Sequence, residues 1–198
     1  MENVRIIVLS ASFGALAIFC TNLWIPMFFG NPNLGSTPVI LAGVLCPLQV
    51  GVAAGIVKGI GASLWTGQAF IEMPAGIGDA LMAAFANYLA RRWKRIYAVI
   101  VGQFSRYLFT SGMIALNVGF MSSFGVSEAA AFQGLLRGLP WFVQSISLLP
   151  PLVANIMIVW VAIFPAITLS IVANMLISTL VIAAAEKRLE NLLVKSSF

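Results

Sequence analysis

The sequence predicts an all-α polytopic membrane protein, and three observations carry that prediction. Of 198 residues, 61% are hydrophobic and only 9% charged. The mean hydropathy is +1.01. The apolar residues fall in blocks long enough to cross a hydrocarbon core about 30 Å thick, at roughly 20 residues per crossing. A soluble domain covers its core with a surface in which about a quarter of all residues are charged, and 11 basic and 6 acidic residues cannot do that here. The same composition excludes disordered chains, disulfide scaffolds and secreted globules. A single membrane domain over residues 1–198 is expected.

The first apolar block, 5–29, is read as an uncleaved span: Leu16 to Cys20 ends a hydrophobic run, but Phe19 stands where a lipoprotein signal needs a small residue. The second, 38–66, has 29 residues and would be about 43 Å long as one helix, too long for an untilted crossing. Pro47 marks a break, because proline lacks the N–H that continues a helix. The block therefore divides into helices over 37–47 and 48–66. Blocks 74–90 and 96–119 each supply one crossing, and a long apolar region from 139 to 185 follows.

Charge parity orders these blocks. Arg5, the cluster Arg91, Arg92, Lys94 and Arg95, and the group Lys187, Arg188 and Lys195 hold eight of the eleven basic residues. Basic loops face the cytoplasm, so an even number of crossings separates Arg5 from Arg91, and the split at Pro47 supplies it. Between Arg95 and Lys187 the parity requires 139–185 to contribute one crossing beyond an outer-face amphipathic segment at 127–149. That crossing is a helix over 150–185 kinked near Pro165. The expectation is a six-helix transmembrane bundle with both termini cytoplasmic. Seven spans is the alternative, with Trp141–Trp160 and Pro165–Ala185 crossing separately. The net charge of +5 follows from these loops and gives no reason to expect a nucleic-acid partner.

Chemistry is sparse in this composition. The chain has no histidine, so the commonest metal ligand is missing, and no metal site or cofactor is expected. Gly55–Ser63 reads GIVKGIGAS, which lacks the G-K-[ST] of a phosphate-binding loop, and no catalytic triad or zinc motif appears. An enzyme is not expected. Cys20 and Cys46 lie in apolar stretches and read as small hydrophobes. Ionisable residues inside apolar blocks are functional candidates, because an uncompensated charge there costs several kcal/mol. Asp79 and Arg106 are such residues, read either as an ion pair or as ligand contacts. Lys58 is either paired or exposed to a cavity. Ala11 and Ala15 form a small-xxx-small pair that lets another helix approach closely.

Three stretches carry a family resemblance: the A-x-x-x-A of the first span, TPVILAGVLCPLQVGVAAG at 37–55, and GIGDALMAAFANYLARR at 76–92. Together they resemble the substrate-binding S component of an energy-coupling factor (ECF) vitamin transporter, over most of residues 5–120. The resemblance implies a non-enzymatic cell-membrane protein that binds a small vitamin-like molecule. It also implies partners: a transmembrane coupling protein and two cytoplasmic ABC-type ATPases. Ala11 and Ala15 match the coupling face of that family. The C-terminal third departs from it, 121–164 being longer and more apolar than its simplest members need.

With no histidine for nickel or cobalt, an organic ligand is implied. Gln68-Ala69-Phe70-Ile71-Glu72 is similar to the segment of thiamine-specific members that carries an acidic substrate contact. Glu72 would then pair with a thiamine-like cation, helped by aromatic neighbours, or else be a solvated loop charge. In this reading the outer face carries loops 30–36 and 67–73 and the stretch 120–140. Asn22 and Trp24 lie in the outer half of the first span, with Asn31 and Asn33 in the loop that closes over the ligand. Trp24 reads equally as an interface anchor. Asn117, Arg137, Trp141, Gln144 and Asn155 line the site from the C-terminal half. Asn174 lies deeper, as an interhelical hydrogen bond worth about 1 kcal/mol. The expected function is a membrane-embedded binding subunit for uptake of an organic micronutrient. The alternative is a stand-alone secondary transporter or channel in which Lys58, Asp79 and Arg106 relay an ion.

Overall fold

The computed structural model describes residues 2–25, 31–124 and 139–195. Among these the regular structure is helical: α1 (Glu2–Thr21), α2 (Ser36–Leu45), α3 (Leu48–Thr66), α4 (Ala69–Ala90), α5 (Arg95–Phe104), a 3₁₀ turn (Ser105–Tyr107), α6 (Phe109–Ser122), α7 (Pro140–Ile146), α8 (Pro151–Ala162) and α9 (Phe164–Lys195). Five segments are long and apolar enough to cross a membrane: Asn3–Thr21, Leu48–Thr66, Ala69–Ala90, Arg95–Ser122 and Phe164–Arg188. The outside of the molecule is apolar, with Val4, Ile7, Phe19, Leu64, Trp65 and Leu180 all more than half exposed. An aqueous surface does not present such a face, and lipid welcomes it.

At the centre stands α2, buried from Ser36 to Val44. A helix apolar on every side must be packed on every side, and α1, α3, α4, α5 and α9 surround it. Its Val39, Ile40, Leu41 and Val44 form one core with Met82, Ala83, Ala86, Val99 and Ile182. The α3–α4 contact is set by small residues. A methyl added to Gly55 would lie 2.6 Å from the backbone nitrogen of Ala80, and one on Gly59 would lie 2.9 Å from the Cα of Gly76. In lipid, where apolar side chains gain nothing by leaving their solvent, such close backbone contact is a main source of helix association.

Several boundaries depart from the sequence expectation. The first helix ends at Thr21 rather than 29, because the chain turns into a hairpin: Trp24 pairs with Asn33, Ile25 N–H donates to Pro32 at 2.9 Å and Leu34 N–H to Leu23 at 3.3 Å. Asn22 and Trp24 therefore lie beyond the helix rather than in its outer half. α2 has ten residues, about 15 Å, half of a crossing. α3 begins at Leu48 with Pro47 as its N-cap. Gly67, at φ 71°, turns the chain from α3 into α4 in a left-handed conformation that suits glycine.

The loop expected at 67–73 shrinks to Gly67 and Gln68, and Glu72 stands in the first turn of α4. The block 96–119 is interrupted by the 3₁₀ turn at Ser105–Tyr107. The helix expected over 150–185 divides at Ile163 into α8 and α9, and α9 continues to Lys195. The division falls two residues before Pro165, whose missing N–H leaves the turn unsupported. These two interruptions face each other: Trp160 Nε1 donates to the Tyr107 carbonyl at 3.0 Å, and Phe164 stacks edge-on against both Tyr107 and Trp160. Of the amphipathic segment 127–149, residues 127–138 lie outside the described residues, and α7 occupies Pro140–Ile146.

Candidate functional site: a buried ionic hub at mid-depth

Asp79 sits halfway along α4, Lys58 halfway along α3, and Arg106 in the 3₁₀ turn. Helix geometry brings all three to one level, and they are 0%, 3% and 4% exposed. One carboxylate oxygen of Asp79 accepts from Lys58 Nζ and from Ser36 Oγ at 2.6 Å. The other accepts from Arg106 Nε at 3.3 Å and from Thr110 Oγ1 at 2.8 Å. Four donors on two oxygens satisfy the carboxylate, which is what a charge in a low-dielectric interior requires. Ser36 opens α2, so the positive end of that helix also faces Asp79.

The network continues into α9. Arg106 Nη1 donates to Ser170 Oγ at 3.0 Å, and Ser170 Oγ donates to the Asn33 carbonyl at 3.2 Å. Asn174 Nδ2 donates to the same carbonyl at 2.7 Å and Thr37 Oγ1 to Asn174 Oδ1 at 2.8 Å. The hairpin carrying Asn33 thus enters the bundle as non-helical backbone, tolerated at this depth because protein groups satisfy it. Two cations face one carboxylate, leaving the hub one positive charge in excess.

Of the sequence candidates, the hub unites Asn33, Asp79 and Arg106 with Lys58. Asp79 and Arg106 make the ion pair that was one of their two readings, and Lys58 joins it. Glu72 is half-buried two turns along α4 from Asp79, toward the end opposite Arg91–Arg95. Glu72, Gly76 and Asp79 share the side of α4 that meets α3, since the Glu72 carbonyl and Gly76 backbone both border Gly59. Among the described residues, the Glu72 carboxylate has neither an ion-pair partner nor a hydrogen bond.

The remaining candidates are dispersed. Trp24, Asn31, Gln68, Trp141 and Gln144 are individually exposed, and Asn155 donates to Ser123 Oγ at 3.4 Å. Arg137 lies outside the described residues. Ala11 and Ala15 are exposed on α1. Asn117 serves the fold: its amide donates to the Phe70 carbonyl at 2.7 Å.

A cavity of about 680 Å³ opens between α4, α6 and α8, lined by Met73, Ile77, Met113, Leu116, Phe120 and Ile156 among others. Its walls are apolar except for Asn117, the one sequence candidate that lines it, and Glu72 is not among them. Ser36, Thr37, Thr110 and Ser170 were not among the residues expected at a site. The available signal was spacing: Ser170, Asn174 and Ser178 recur every four residues in an otherwise apolar helix, which places them on one face. Compared with known proteins, the chain matches no family model, no curated protein and no solved structure.

Proposed function

We propose that this chain is the membrane-embedded binding subunit of a micronutrient uptake system, of the ECF S-component kind. It takes a small organic cation, thiamine-like in charge, from the outer side of a cell membrane. A transmembrane coupling protein and two cytoplasmic ABC-type ATPases energise its transport, and Ala11 and Ala15 on the exposed face of α1 meet the coupling protein.

The observation that carries this reading is the contrast between two carboxylates on one face of α4. Asp79 is fully occupied by Lys58, Arg106, Ser36 and Thr110. Glu72, two turns away and half-buried, makes no hydrogen bond and no ion pair among the described residues, with Lys58 acting on it only at longer range. A carboxylate in a partly desolvated setting favours a cation. The adjacent hairpin, with Asn31 and Asn33, supplies amides near the same end of the bundle.

Purification in detergent without added ligand, followed by denaturation and mass spectrometry, tests the proposal. A stoichiometric organic cation is the expected result, and a neutral or anionic molecule overturns the role of Glu72. A second reading, a stand-alone carrier, is favoured by the placement of three ionisable groups beside helix interruptions at mid-depth, where transporters gather their sites. Uptake by proteoliposomes containing this chain alone would establish that reading and reject the first.

A further inference from the structure

The polar face of α9 does not stop at the hub. Ser170, Asn174 and Ser178 are 4%, 0% and 0% exposed. The first two are bonded to Arg106, Asn33 and Thr37. Ser178 Oγ has no partner among the described residues, and neither does Oε1 or Nε2 of Gln103, which is 0% exposed on α5.

Two ties fix how α5 runs against α9. Arg106 bonds Ser170, while Ala98 and Val99 share a core with Ile182. Between those two ties α5 and α9 run antiparallel. Gln103, one turn from Arg106 toward the end carrying Arg91–Arg95, therefore lies opposite the Asn174–Ser178 turn.

The behaviour of the hydroxyl is informative. In apolar surroundings a helical Ser or Thr turns its hydroxyl back to the carbonyl four residues earlier, as Thr21, Ser63, Thr66, Ser122 and Thr168 do. Ser178 does not. Burying an amide without partners is costly, and ordered water is the usual occupant of such places.

We infer that Gln103 and Ser178 form an internal hydration site between α5 and α9, holding ordered water bonded to the Gln103 amide and to Ser178 Oγ. A cation does not suit the position, because the charged group nearest to Gln103 along its own chain is Arg106, one turn away and buried. The water extends the polar chain of Asn33, Ser170 and Asn174 one turn further toward the basic end of the bundle.

A structure of the protein in lipid nanodiscs, at a resolution that shows water, tests this directly. A density peak within about 3.2 Å of both the Gln103 amide and Ser178 Oγ is expected. A direct Gln103–Ser178 hydrogen bond without a peak, or apolar side chains filling the space, overturns the inference. Gln103→Met combined with Ser178→Ala removes the peak, and its persistence would show that other groups hold it. Melting in chloride and in gluconate separates water from an anion. The same melting temperature is expected in both, and a fall on removing chloride would replace the water by a bound anion.

Discussion

The side-chain amide of Asn117 donates to the Phe70 carbonyl at 2.7 Å, and Phe70 is the residue four before Pro74. Proline has no N–H, so within α4 this carbonyl has no helical donor. Asn117 supplies one from α6. The same arrangement recurs at the other end of the bundle: Pro47 leaves the Gly43 carbonyl without a donor, and Asn87 Nδ2 of α4 donates to it at 2.7 Å and to Cys46 at 3.1 Å. Two prolines interrupt the ladder and two asparagines from neighbouring helices repair it, which ties each interruption to a specific packing partner.

Asn117→Ala is expected to destabilise the protein by about 0.5–1.5 kcal/mol, the net worth of one hydrogen bond. In a Pro74→Ala background, where residue 74 again donates, the same substitution should cost markedly less. A double-mutant cycle measured by unfolding in detergent checks this, and additive effects would contradict it.

The hub predicts an order among charge variants. Lys58→Met leaves Asp79 balanced by Arg106, whereas Asp79→Asn leaves two buried cations without an anion. Removal of one partner from a buried ion pair costs about 3–5 kcal/mol, so Asp79→Asn should give little folded protein and Lys58→Met should remain purifiable. Yield and melting temperature in detergent give the comparison, and the reverse order would refute the assignment of Asp79 as the shared anion.

Glu72 stands outside the hub, so Glu72→Gln should leave the melting temperature of ligand-free protein close to the original. Charge-assisted hydrogen bonds are worth about 1.5–3 kcal/mol, so affinity for an organic cation should fall by about tenfold or more. Comparing co-purified cation by mass spectrometry and the thermal shift with thiamine, in both proteins, measures this. Unchanged retention would remove Glu72 from the site.

Glycines divide by environment. A methyl on Gly55 meets Ala80 backbone at 2.6 Å, whereas one on Gly112 meets nothing within 4 Å. Gly55→Ala should therefore part α3 from α4 and lower stability, while Gly112→Ala should be neutral or raise it by up to about 1 kcal/mol through helix propensity. Melting curves of the two variants, side by side, decide the matter.

Membrane-forming helices, the break at Pro47 and a second near Pro165 were legible in the chain, because hydropathy and the missing proline N–H act through local covalent structure. So was the cost of Asp79 and Arg106 at depth, and with it the expectation of a partner. Other features needed the three-dimensional arrangement. That Lys58 shares Asp79, that Asn117 repairs α4, and that α1 ends at Thr21 in a hairpin all depend on which helix faces stand side by side. The small residues of α3 and α4 were visible as composition, but Gly59 against Gly76 is a matter of register between two helices. Composition and hydropathy alone called for an apolar solvent and helical elements, since backbone polar groups in lipid must be satisfied within a helix or a closed barrel. Which charges are neutralised and which remain without a partner emerges from the packing of the helices, because pairing depends on distances between residues far apart in the chain.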